Sequence, residues 1–129
     1  MNYQVIFEPF ADRHFIKVFA KKHKNAWERT MRGLVVEFVH IDLLFGKSIA
    51  EPITDARAKV VICKTEFKIA GVEESRHASG NRCIVALCRD AAAVRVLLVY
   101  HKGHLGSSNE TASWKTLVKD NYPEYRGLL

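Results

Sequence analysis

The chain has 129 residues, of which 48% are hydrophobic and 26% are charged. This length is that of one ordinary domain, and the apolar content excludes a disordered tail, a collagen-like repeat and a disulfide miniprotein. Twenty Lys and Arg residues against fourteen Asp and Glu give a formal net charge of +6, which favours an anionic partner such as nucleic acid or an acidic protein segment. We therefore expect a single basic domain over residues 1–129.

The cysteine content and the N-terminus bear on the cellular compartment. The chain has an odd number of cysteines, and they lack the paired spacing of a disulfide or metal motif; they are Cys63, Cys83 and Cys88. The N-terminal segment has no basic leader, and no run reaches the roughly 18 uncharged apolar residues that a membrane helix needs. These patterns predict a cytoplasmic protein with no membrane span.

The first third of the chain is predicted to form a strand and a helical hairpin. Residues 3–8 are rich in β-branched and aromatic side chains and stop at Pro9, which is typical of a strand. Asp12 is a candidate N-cap for a first helix that ends at the cations of 21–23, and apolar residues then recur at helical spacing over 25–46, which predicts one long second helix. Seven basic residues and one acid lie between positions 13 and 32, so the hairpin is either a solvated surface or an anion-binding one.

After residue 46 the pattern changes to short strands. Strand composition is found at 59–63, 66–70, 82–88 and 94–101. The first two segments form either one bent strand or two separate strands. The short turns predict an antiparallel sheet, and Asn109 is a candidate N-cap of a last helix that ends before Pro123. The order predicts an α+β fold, in which an N-terminal strand and a helical hairpin pack on a small antiparallel-rich sheet with a C-terminal helix, all helices on one side.

The strand at 94–101 is predicted to be central because both of its faces are apolar in the middle. Simple alternation places one set of side chains on one face and the other set on the opposite face. The first set is Arg95, Leu97, Val99 and His101, and the second is Val96, Leu98, Tyr100 and Lys102.

The densest group of chemically active side chains follows this strand, in a glycine-containing loop that carries His101, Lys102 and His104. A metal site is one alternative, but no cysteine or carboxylate stands at ligand spacing nearby. The second alternative is that both histidines are exposed loop residues without a functional role. The chain also lacks a Gly-rich phosphate loop, a nucleophile elbow and an H-E-x-x-H motif, so no metal or other cofactor is predicted.

A second cationic group contains Arg76, His77 and Arg82. Arg82 opens a strand, which makes its guanidinium a well-aimed anion ligand, with a salt bridge to a sheet-edge acid as the alternative. Metal-free RNA cleavage needs a base for the ribose 2′-hydroxyl, cations for the phosphorus-centred transition state and an acid for the departing 5′-oxygen, and His, Lys and Arg supply all three. Tyr100 and Trp114 are candidates for stacking on RNA bases, with packing in the core as the alternative.

Four segments together with the order of elements resemble the RelE/ParE superfamily of toxins from bacterial type II toxin-antitoxin systems. The segments are 67–71 (FKIAG), 79–86 (SGNRCIVA), 96–102 (VLLVYHK) and 109–112 (NETA). The resemblance implies a small sheet backed by an N-terminal helical hairpin, with a C-terminal helix beside the last strand. It also implies one of two activities: ribosome-dependent cleavage of mRNA, or inhibition of DNA gyrase by the ParE-like branch. An inactive binding member of the fold is a third possibility.

The resemblance also assigns roles to individual residues. Arg82 stands where RelE-like nucleases place a catalytic arginine, and His101, Lys102 and His104 correspond to the loop that meets the scissile phosphate. Where many relatives have a tyrosine just before the arginine, this chain has Asn81, and the nearest aromatic to the tyrosine of the last helix is Trp114, which cannot transfer a proton. General acid and base would then be the histidines. The expected partners are the ribosome, mRNA and a cognate antitoxin whose acidic, initially disordered segment covers the basic surface.

Overall fold

The computed structural model describes residues 2–106 and 109–129, and within these ranges five strands form one sheet. The strands are β1 (Gln4–Phe7), β2 (Ala50–Pro52), β3 (Val60–Phe67), β4 (Asn81–Cys88) and β5 (Ala93–His101). They lie in the order β1-β5-β4-β3-β2, with β1 parallel to β5 and every other pair antiparallel. The predicted α+β class with an antiparallel-rich sheet is confirmed.

The helices surround this sheet. They are α1 (Pro9–Ala11), α2 (Lys17–His23), α3 (Asn25–Val39), α4 (Ile41–Gly46), α5 (Arg76–Ser79) and α6 (Glu110–Asn121), with a π-helical turn over Asp12–Ile16 that joins α1 to α2. Two 3-10 helices cover Lys102–Leu105 and Pro123–Leu128. The predicted hairpin is confirmed as α1 to α2 followed by α3. No helix in the described ranges combines the length and the apolar composition needed to cross a membrane.

Several predicted boundaries are wrong for local reasons. The first helix begins at Pro9 rather than at Asp12, because the fixed φ of proline suits the first helical position. The long second helix breaks at His40, whose φ of −114° and ψ of 39° are not helical. One continuous strand, β3, joins the predicted segments at 59–63 and 66–70 but ends at Phe67, and the composition of the chain did not predict β2 or α5.

The sheet carries a hydrophobic core on each face. Phe19 of α2 and Trp27 and Phe38 of α3 pack on one face, while Trp114 and Val118 of α6 pack on the other. The prediction that all helices lie on one side is therefore wrong. The central strands are apolar on both faces, so each face requires a covering layer.

A β-bulge in β5 sets which side chains reach which core. Ile84 of β4 pairs with Leu98, but the next residue, Val85, pairs with Val96, so Leu97 is an extra residue in β5. Val96 and Val99 consequently share the hairpin-side core, whereas Leu97 and Leu98 both belong to the α6-side core. The simple alternation predicted for this strand is wrong beyond the bulge.

Candidate functional site

Three side chains from neighbouring strands converge below the first turn of α6. Lys64 of β3, Arg82 of β4 and Tyr100 of β5 all reach the same oxygen, Oε2 of Glu110. The Tyr100 hydroxyl donates to it at 2.7 Å, and Lys64 Nζ and Arg82 Nε each lie 3.3 Å away. Arg82 pairs directly with Tyr100 across the strands, which explains their shared face. We call Lys64, Arg82 and Tyr100 the anion pocket, with Glu110 as its occupant.

The anion pocket is largely shielded from water. The side chain of Arg82 is 6% exposed, and those of Lys64 and Glu110 are 20% and 22% exposed. Burial raises the pKa of Glu110, but the hydrogen bond from Tyr100 and the charges of Lys64 and Arg82 outweigh it, and the pKa is lowered overall. Burial, together with the bond to Glu110, raises the pKa of Tyr100. At neutral pH the pocket thus holds an ionised carboxylate and a neutral phenol.

The start of α6 fixes Glu110 in this position. The side chain of Asn109 accepts a hydrogen bond from the Ala112 backbone N–H at 3.0 Å, which confirms the predicted N-cap. Glu110 is the first residue of the helix, where the helix dipole also favours a negative charge. The carboxylate is therefore held between a helix N-terminus and two cations.

The second group of candidate residues lies in the loop after β5. His101 Nδ1 accepts the backbone N–H of Gly103 at 3.0 Å, and His104 Nδ1 accepts the backbone N–H of His101 at 3.1 Å. A backbone N–H only donates, so each neutral ring must carry its proton on Nε2. The ring centroids are 5.7 Å apart. As they stand, both imidazoles offer N–H donors, a form that suits binding to phosphate oxygens.

The loop packs close to the helical hairpin. The His104 ring lies 5.5 Å from the Phe19 ring, and burial, His101 and Lys22 together lower the pKa of His104. The same imidazole lines an apolar groove of about 510 Å³ between the π-helical turn and α6. Lys102 is exposed on this loop.

The anion pocket and the histidines lie at the same end of β4 and β5. Asn81 pairs with His101, and the next residue pair is Arg82 with Tyr100. Within the described residues, no hydrogen bond or ion pair joins Arg82 to His101 or His104. The predicted group of four is thus divided into a buried arginine on the α6 side and a loop with two imidazoles and one lysine.

The other predicted binding residues have internal partners. Arg76 donates to both carboxylate oxygens of Glu37, each at 2.9 Å, and His77 Nδ1 lies 3.0 Å from a carboxylate oxygen of Glu66. Trp114 is fully buried, and Tyr100 is buried with its hydroxyl on Glu110. For the two aromatic rings, these placements favour packing in the core, the alternative stated from the sequence, over stacking on RNA bases at an exposed surface.

Sequence reasoning missed two members of the site. Lys64 lies between the predicted strand segments 59–63 and 66–70, Glu110 directly follows the predicted N-cap Asn109, and neither is among the candidate site residues from the sequence. The available signal was the alternation of Lys64 and Glu66 with buried Thr65 and Phe67, which marks a polar stripe on one strand face. The sequence alone does not reveal that α6 brings Glu110 to that stripe.

The helical hairpin presents a basic surface. Its seven basic side chains are all exposed, and none of them forms an ion pair with another described residue. They are Arg13, Lys17, Lys21, Lys22, Lys24, Arg29 and Arg32. This unneutralised charge fits contact with an anionic partner.

Comparison with known proteins gives no match to a family model, to a curated protein or to a solved structure.

Proposed function

We propose that this protein is the toxin of a type II toxin-antitoxin system and cleaves mRNA on the ribosome as a metal-independent endoribonuclease. The observation that carries the proposal is the convergence of Lys64, Arg82 and Tyr100 on one anionic oxygen. Two cations and a hydroxyl gathered around one point, in a shielded site, suit the charge of a phosphorus-centred transition state. The proposed substrate places this activity in the cytoplasm.

The proposed roles follow from the chemistry of each side chain. Arg82 and Lys64 bind the scissile phosphate and stabilise the charge that develops on it, with Lys102 as a further cation. His101 and His104 transfer the protons. A ring that takes the 2′-hydroxyl proton must first give up its bond to a backbone N–H, since Nδ1 is occupied. Loss of one such bond costs about 0.5–1.5 kcal/mol, which is small beside typical binding energies.

The resemblance to the RelE/ParE superfamily supports the same proposal. The resemblance implies a hairpin-backed sheet with a C-terminal helix, and the chain has both. The exposed basic hairpin further supports a cognate antitoxin with an acidic segment. Co-expression with the product of the neighbouring gene is expected to give a complex that dissociates at high salt.

Primer extension on mRNA from cells that briefly express the protein tests the proposal. We expect cuts within translated codons for the wild type, and their loss in Lys64→Ala, Arg82→Ala and His101→Ala. Lys59→Ala is the matched control, because Lys59 precedes the same strand as Lys64 but is paired with Asp90 outside the pocket. Cuts that persist in all three site variants would show that the proposal is wrong.

A non-catalytic member of the same fold, such as a gyrase inhibitor, is the second candidate. The specific observation in its favour is that both imidazoles present Nε2–H donors and neither presents a lone pair to solvent from Nδ1. Such a protein binds nucleic acid or its target enzyme without cutting RNA. DNA-damage signalling and gyrase co-purification in cells without cut mRNA would distinguish it.

A further inference from the structure

Glu110 fills the anion pocket in a way that resembles a bound ligand. Its carboxylate oxygen accepts a hydrogen bond from Tyr100 and lies within ion-pair distance of both Lys64 and Arg82. Glu110 also lies at the N-terminus of a twelve-residue helix. Helix N-termini and arginine side chains are common features of phosphate sites in proteins. The side chain that occupies the pocket belongs to the protein itself.

The fit between Glu110 and the pocket is incomplete. Arg82 Nε is buried and has no hydrogen-bond partner among the described residues, although it lies 3.3 Å from Glu110 Oε2, and the bond described for Arg82 Nη1 is a long one of 3.5 Å to the Asn81 carbonyl oxygen. Buried polar groups nearly always have a partner, so this N–H marks a place for a further acceptor. A phosphate group offers more acceptor oxygens than a carboxylate, spread over a tetrahedron, and satisfies several donors at once.

We infer that the pocket of Lys64, Arg82 and Tyr100 at the N-terminus of α6 binds a phosphodiester of the substrate, and that Glu110 occupies it until the phosphate displaces its carboxylate. The inference rests on the proposed function for the identity of the substrate. The partial exposure of Glu110 gives the phosphate a route to the pocket from solvent. Removal of the Glu110 charge should therefore strengthen phosphate binding rather than abolish it.

The test compares Glu110→Gln and Glu110→Asp with the wild type in the full-length chain. The Gln variant keeps the side-chain shape without the charge, and the Asp variant keeps the charge but is too short to reach the same point. Glu124→Gln is the matched control, because Glu124 is 51% exposed and pairs with Arg95 away from the pocket. The probes are inorganic phosphate and a short oligodeoxynucleotide that lacks the 2′-hydroxyl, titrated by calorimetry at constant ionic strength.

We expect Glu110→Gln to bind both probes at least about tenfold more tightly than the wild type, with a smaller gain for Glu110→Asp and none for Glu124→Gln. Unchanged affinities in a Gln variant with native circular dichroism would overturn the inference. A gain for inorganic phosphate without a gain for the oligonucleotide would overturn the assignment to a phosphodiester.

The inference and the proposed function fail separately. If Lys64→Ala and Arg82→Ala abolish mRNA cleavage while Glu110→Gln leaves both affinities unchanged, only the inference is wrong. If Glu110→Gln binds the probes more tightly while neither it nor the wild type cuts mRNA, only the proposed function is wrong.

Discussion

Gly80 is expected to be the glycine whose replacement most disturbs the histidine loop. Its φ of +76° lies in the left-handed region, and a Cβ added there would lie 2.7 Å from His101 Nε2. The backbone has little freedom to relax, because the Gly80 carbonyl accepts the Lys102 N–H at 2.8 Å. Gly80→Ala must therefore strain the backbone and displace the imidazole at the same time.

The two costs can be estimated separately. A left-handed conformation costs a residue with a side chain about 1–2 kcal/mol. Displacement of the His101 ring breaks its bond to the Gly103 N–H, which is worth about 0.5–1.5 kcal/mol. We expect the free energy of unfolding to fall by about 1.5–3.5 kcal/mol in total. For a domain of this size, that corresponds to a fall in Tm on the order of 5–15 °C.

Urea denaturation followed by circular dichroism measures this change, and two other glycines separate its parts. Gly106 has a φ of +60°, but an added Cβ meets no atom of the described residues within 4 Å, so Gly106→Ala reports the backbone cost alone. Gly33 lies inside α3 with open space around it, and Gly33→Ala is expected to stabilise the protein by about 0.5–1 kcal/mol. The reasoning is refuted if Gly80→Ala is no more destabilising than Gly106→Ala, or if adding His101→Ala recovers none of the difference.

Three further predictions test the core, the loop and the cysteines. Trp114→Ala is expected to lower the free energy of unfolding by about 3–5 kcal/mol in urea titrations, because the ring is fully buried, and a loss below about 1 kcal/mol would contradict that burial. The pKa of His104 lies below its ordinary value of 6.5 in the folded chain, so the unfolded chain binds the proton more readily and stability falls as the pH drops below that value. His104→Gln should flatten this fall when unfolding is compared between pH 7 and pH 5, and an unchanged slope would count against it. Cys88 should be the only cysteine alkylated in the native protein, as mass spectrometry can show, because Cys63 and Cys83 are buried and burial raises the pKa of Cys63 to about 12.

The features predicted correctly from the sequence depend on local signals. The strand before Pro9, the end of the first helix at His23 and the cap at Asn109 each involve residues within one turn of each other. Their physical causes are the composition of a strand, the favourable place of cations at a helix C-terminus and the side-chain bond of an N-cap. Each of these features can be predicted from the sequence because the residues that determine it lie within the same short segment.

The features predicted wrongly depend on contacts between distant segments. The bulge at Leu97 arises from the register of two strands, and the position of α6 on the second face arises from the need to cover an apolar surface. The site shows the same division. The sequence predicts Arg82 and the loop histidines as candidate site residues. The contact of Lys64 and Arg82 with Glu110 forms only when β3, β4 and α6 pack together.

The burial of Arg82 connects the stability of the protein to the proposed activity. Removal of one partner of a buried ion pair is strongly destabilising, because the other charge is left without compensation. Glu110 provides that compensation in the unliganded protein, so Glu110→Gln is expected to lower the Tm in a buffer without oxyanions. An anion that binds only the folded state raises stability with its concentration, so phosphate should restore the lost stability in the Gln variant and have a much weaker effect on the wild type. Thermal unfolding in phosphate and in chloride of equal ionic strength measures this difference, and equal phosphate effects on the two proteins would mean that Glu110 does not compete for the pocket.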